Sequence, residues 1–236
     1  MLAGLRLFAE SFLMIQVRIW DLPTRIFHWS LALLIIAMVV TGNVGGNAMI
    51  WHFRCGYAIA SLLIFRFLWG FTGGHWSRWT QLRCTPSALL HYFSSKAKSP
   101  PFLGHNPVGS LSVVAMLGLL SLQVGTGLFS DDEISNAGPL VSLASESYVN
   151  LATYWHKSFG KTIILILVVT HILAIAWYFF KKKENLTRAM LNGNKPSSDA
   201  AISSKDSPID WLKAFVLLLV SAGLVYVLIN MGSGAP

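Results

Sequence analysis

Five long apolar runs separated by polar stretches set the plan of this chain. Residues 26–44 are apolar except chiefly for His28, Ser30 and Thr41. Further runs cover residues 51–71, 107–129, 162–180 and 211–229. Each approaches the roughly 20 apolar residues that an α-helix needs to cross a bilayer. The pattern predicts an all-α integral membrane protein. Residues 16–190 are expected to form a four-helix transmembrane bundle, and residues 209–236 to add a fifth transmembrane helix. Residues 191–208, rich in Asn, Lys, Ser and Pro, read as a linker. Residues 1–15 place Leu2, Leu5, Phe8, Phe12 and Ile15 at helical spacing, which suggests a short amphipathic helix at the membrane surface. Met14 is an alternative start. The first span is too long and too far into the chain for a cleavable signal, so it is expected to act as a signal anchor.

Composition supports this plan. Hydrophobic residues make up 54% of the chain and charged residues 12%, a balance of the membrane class. The net charge of +8 does not form a basic face, which argues against a nucleic-acid partner. Lys and Arg gather before the first span, between the second and third, and after the fourth. The loops at residues 42–49 and 130–153 have none, and the second of these carries Asp131, Asp132, Glu133 and Glu146. The positive-inside rule then places the N-terminus in the cytoplasm, with the acidic loop and the C-terminus outside.

Histidines carry the candidate chemistry. His156 and His171 lie on the fourth span, roughly 22 Å apart along the axis and only about 60° apart around it. An ionisable group inside a span is costly and marks a functional site, and imidazole is a common iron ligand. Two imidazoles at this separation suggest two stacked haems, each needing one more ligand from another helix. His28 and His52, one turn into the first and second spans, supply them. Antiparallel helix directions pair His52 with His156 near the outer surface and His28 with His171 near the inner one. The inner pair matches less well in depth, because His28 closely follows Arg25 whereas His171 lies ten residues before Lys181. A solvated interfacial role suits His156 or His28 taken alone.

Other candidates cluster around these four. Arg54 and Arg66, near the two ends of the second span, count as cofactor-binding residues, with Arg66 either snorkelling or facing a haem propionate. Gly56 lies on the face of His52, where a flat macrocycle could approach. His105, in Gly-His-Asn-Pro, either contacts a propionate or shapes a quinone pocket; His75 and His91 read as surface residues. The third span has no histidine but several glycines, which favour close packing. Cys55 and Cys84 form no C-x-x-C-H, so covalent haem attachment is not indicated.

Several segments together resemble the prokaryotic transmembrane cytochrome b family, which includes the cytochrome b subunit of nickel–iron hydrogenases and a quinol-oxidising di-haem cytochrome. They are VRIWDLPTRIFHWSLALL with Thr41-Gly42, the stretch from Arg66 to Gly73, Gly104-His-Asn-Pro-Val-Gly, Thr126-Gly-Leu-Phe, His171, and Asn185-Leu-Thr-Arg-Ala-Met. The resemblance covers residues 16–195. It implies two b-type haems (haem b) on His28, His52, His156 and His171. It also implies electron exchange between a quinone pool and a redox partner, either a periplasmic c-type cytochrome or a hydrogenase-type subunit. The helix after residue 208 departs from the family and leaves room for partner contacts or a homodimer. A haem-free transporter or structural bundle is the alternative of another class.

Overall fold

The computed structural model describes residues 15–94, 102–197 and 201–232. The amphipathic helix expected over residues 1–15 lies almost wholly outside them. Among the described residues, five helices are long and apolar enough to cross a membrane.

Helix α1, Leu22–Val44, begins where the Asp21 side chain accepts the Thr24 N–H, with Pro23 in the first turn. It ends at Gly45, whose φ of 67° suits a residue without Cβ. A short turn leads into α2, Met49–Thr72, and a brief surface helix, α3, covers Pro86–Ser94. Helix α4, Pro107–Leu128, is capped by the Asn106 side chain on the Gly109 N–H. Helix α5, Glu146–Tyr154, passes through a π-helical turn, Trp155–Gly160, into α6, Lys161–Trp177. A second π turn, Tyr178–Lys182, ends at Lys183 in the left-handed region. This continuous run of 37 residues is about 55 Å long, well beyond the about 30 Å of a hydrocarbon core. Its extra length is α5, which stands beside the acidic loop.

The outward faces of the spans carry exposed Leu33, Ile36, Ile166 and Val169, as suits helices whose neighbour is lipid. Inside, Phe27, Leu31, Ile59, Phe65, Trp69, Leu120, Ile164 and Ala214 form one apolar core.

One end of the bundle is capped by the chain's own distant segments. Strand β1, Ile15–Arg18, pairs antiparallel with β2, Asn194–Ser197, directly after the short helix α7, Leu186–Asn192. Gly193, at φ 85°, lets its carbonyl accept both the Ile19 and Trp20 N–H groups. A methyl there would lie 2.5 Å from the Trp20 carbonyl oxygen. Residues 191–208, expected as a linker, thus contribute a strand and the side chains that close this cap. Ser204 bonds the Ile19 carbonyl. Asp206 takes Arg18, the Leu22 N–H and the Trp211 indole.

Beneath the cap, Asp21 is fully buried. Its carboxylate accepts from Thr24 N (2.8 Å), Trp69 Nε1 (3.2 Å), Gly74 N (3.0 Å) and Ser77 Oγ (2.7 Å). This one side chain ties the start of α1 to the end of α2.

Helix α8, Pro208–Asn230, starts with a reciprocal capping box between Ser207 and Asp210. It packs along α2, and its buried residues are Ala214, Ser221 and Val225, the first two small enough to let helices approach. Beyond its far end the Gly232 carbonyl accepts from Ser142 in the acidic loop. In that loop the Asp132 carboxylate accepts from the Asn136 side chain and from the N–H groups of Asn136, Ser135 and Ile134, which hold its pKa well below the usual range.

A candidate haem site built from two histidine pairs

Four imidazoles come together inside the bundle as two pairs. His28 of α1 faces His171 of α6, with ring centres 6.3 Å apart. His52 of α2 faces His156 of the first π turn, at 6.1 Å. The first pair lies towards the capped end and the second towards the acidic loop.

The second pair is braced from behind. His52 Nδ1 lies 3.2 Å from the Met38 carbonyl and 3.3 Å from Thr41 Oγ1, both on α1. His156 Nδ1 lies 2.8 Å from the Gln123 carbonyl of α4. A carbonyl only accepts, so Nδ1 carries the proton in both rings and Nε2 keeps its lone pair for a metal. The Gln123 side chain adds a second contact, donating from Nε2 to the His156 carbonyl at 2.8 Å. Main-chain room makes this possible. A methyl at Gly42 would lie 3.0 Å from His52 Cε1, and one at Gly127 would lie 2.7 Å from His156 Cε1. At Gly56, on α2, a methyl would meet only Met38 Cε, at 3.7 Å.

The first pair is set differently. His28 Nδ1 is buried with no hydrogen-bond partner among the described residues, and its ring stands edge-on to Trp29 at 5.1 Å. Among the described residues no hydrogen bond reaches His171.

Arg66 is buried at the capped end of α2, its Cζ 4.5 Å above the Trp79 ring. Gly70, one turn on, gives that indole its place. The Arg66 Nη1 atom is buried and has no hydrogen-bond partner among the described residues. His105 joins this end, with its ring 4.8 Å from that of Trp20. Burial, then the charges of Arg66 and Lys195, push its pKa down to about 4, so it is neutral at pH 7. Lys195 is paired with Glu184 at 2.5 Å. Arg54 sits elsewhere: it is exposed, with Cζ 5.1 Å over the Trp51 ring. His75 lies beside Trp76 in the turn after α2, and His91 on α3.

Gln123 is the site residue that pattern reading passed over. Its signal was there: it is the only side-chain amide in the third span, and a polar side chain at such depth needs a partner.

Residues 19–193 match the family model described as prokaryotic cytochrome b561. A probable Ni/Fe-hydrogenase B-type cytochrome subunit of Rhizobium leguminosarum bv. viciae is 26% identical, over 78% of this chain and 90% of the relative. The one from Azotobacter chroococcum mcd 1 is 24% identical, over 75% and 87%. The probable Ni/Fe-hydrogenase 1 B-type cytochrome subunit of Escherichia coli K12 is 21% identical, over 80% and 94%. No solved structure matches the chain. Helix α8 lies beyond the matched residues. With its apolar helices enclosing paired imidazoles and its family match running from Ile19 to Gly193, the chain belongs to the prokaryotic cytochrome b561 family, as a multi-pass membrane electron-transfer cytochrome carrying haem b.

Proposed function

We propose that each imidazole pair holds one haem b, giving two bis-histidine centres at different depths, ligated by His28 with His171 and by His52 with His156. The separation of the rings carries this reading. Metal–imidazole bonds of about 2 Å place the centres of two opposed imidazole rings about 6.2 Å apart, and the observed values are 6.3 and 6.1 Å. Each pair offers two nitrogens, which is all that haem iron needs beyond its own macrocycle. Held by two imidazoles, such a haem would supply one-electron exchange rather than oxygen binding.

The protein's residues supply position and charge. Gly42 and Gly127 admit the second pair, and Gln123, Met38 and Thr41 orient it. Arg66, buried with Nη1 unpartnered among the described residues, fits a haem propionate at the capped end. His105, neutral and close to Arg66, suits the wall of a quinone pocket there. Arg54, exposed on Trp51, would meet a propionate of the other haem only by leaving that ring. Purified protein should therefore contain two haem b per chain, both low-spin. One haem per chain, or a high-spin spectrum, overturns the reading. Arg66→Gln leaves all four imidazoles in place and should loosen one haem of the two; unchanged retention of both would remove Arg66 from the site.

The electron path joins the quinone pool to a redox partner on the opposite side of a bacterial inner membrane. The relatives' names favour a hydrogenase-type subunit as that partner. The acidic turn at Asp131 to Glu133, in which Glu133 is exposed, favours a basic c-type cytochrome as the second reading. The loop with that turn has no Lys or Arg and is assigned to the periplasm, with the capped end cytoplasmic. Alkaline phosphatase fused after Glu146 should be active. An inactive fusion, with a cytoplasmic reporter active at the same point, would reverse the orientation.

A further inference from the structure

The two pairs differ in what stands behind the imidazoles. Both rings of the His52–His156 pair donate Nδ1–H to main-chain carbonyls, those of Met38 and Gln123. In the His28–His171 pair, among the described residues, the buried His28 Nδ1 has no acceptor and His171 has none either. An imidazole that donates its remote N–H to a carbonyl becomes a stronger electron donor to a bound metal. A stronger donor stabilises ferric over ferrous iron and lowers the reduction potential.

The π turn makes the difference local and specific. It holds His156 against α4, where the Gln123 side chain donates to the His156 carbonyl while the Gln123 carbonyl accepts from the His156 ring. This two-point clamp fixes the ring and its hydrogen bond together. Fixed charge does not reverse the ranking. Arg66 lies in the field of Asp21, Lys195 is paired with Glu184, and Arg54, Lys157 and Lys161 near the other pair are solvent-facing and therefore screened.

From this asymmetry we infer that the His52–His156 site is the low-potential centre and the His28–His171 site the high-potential centre, with Gln123 the positioning residue that sets the difference. Electron transfer from the acidic-loop end to the capped end is then downhill within the chain. The inference rests on the two-haem reading above, and haem content per chain tests that reading separately.

The experiment is an optically followed redox titration of the purified full-length cytochrome in detergent. Two components should appear, differing at least tenfold in their reduction equilibria, which is about 59 mV for a one-electron couple. His52→Ala should remove the lower component and His171→Ala the upper one. Gln123→Leu should raise the lower component several-fold in its reduction equilibrium and leave the upper one where it was, with both haems retained. If Gln123→Leu sheds a haem, Thr41→Val, which removes the hydroxyl beside His52 Nδ1, should raise the same component. Coincident potentials, loss of the upper component in His52→Ala, or a Gln123→Leu protein with two haems and an unmoved lower component would each overturn the inference. If Gln123→Leu sheds a haem, an unmoved lower component in Thr41→Val has the same force. Fewer than two haems in the unaltered chain would instead refute the two-haem reading.

Discussion

His52→Ala and His156→Ala should share one spectral and redox phenotype, and His28→Ala and His171→Ala should share another. Each pair of rings faces across a single gap, 6.1 Å for one and 6.3 Å for the other, so under the proposed ligation either deletion would remove a ligand of the same haem. On the proposed two-haem reading, the haem left with one imidazole should lose its low-spin spectrum or be lost, while the haem on the other pair should be kept. The expected result is about half the haem per chain, with one component of the redox titration missing and the other preserved. The measurement is haem content with an optical titration for all four variants. A match of His52→Ala with His171→Ala would break the pairing. Retention of two low-spin haems in any of the four would remove that histidine from the ligand set.

Asp21→Ala should be the most destabilising change outside the histidines. The carboxylate is fully buried and accepts from four donors on three segments. Hydrogen bonds to a charged acceptor contribute about 1.5–3 kcal/mol each, and a stranded buried donor carries a further cost. Alanine leaves the Trp69 indole and the Gly74 N–H without their acceptor. A loss of about 3 kcal/mol or more is expected on that basis, with the cap loosening first because Ser77 and Thr24 meet beside Asp21 at 2.8 Å. Asp21→Asn keeps one acceptor oxygen and should fall between the two. Thermal unfolding in detergent, followed by circular dichroism, measures the order. An alanine variant that melts with the unaltered protein would show that the network is dispensable.

The spans were legible because a bilayer acts locally. It demands about 20 apolar residues in a row and penalises each polar group among them, so both the helices and their exceptional histidines stand out in a linear reading. Helical periodicity does the rest, placing His156 and His171 on nearly one face. Where the helix that carries them begins was less legible: the apolar run starts at residue 162, but the helix starts at Glu146, since α5 is polar enough to pass for loop.

Contacts between distant segments were not legible at all. The shallow place that the sequence suggests for His28 rests on Arg25 marking the membrane surface. In the fold Arg25 is under the cap, where its guanidinium donates to the Leu191 carbonyl at 2.6 Å, and His28 sits deep enough to face His171. The cap joins residues about 180 positions apart, as in Ser204 to Ile19, through polar side chains whose composition alone reads as a linker. Gln123 gains its role only where the π turn brings the His156 ring and carbonyl to α4. The sequence alone determined which helices cross the membrane and which imidazoles they carry, because length, hydropathy and period are properties of a single segment. The depth of His28, the clamp on His156 and the closure of the cap were decided by tertiary structure, because each depends on which segments meet.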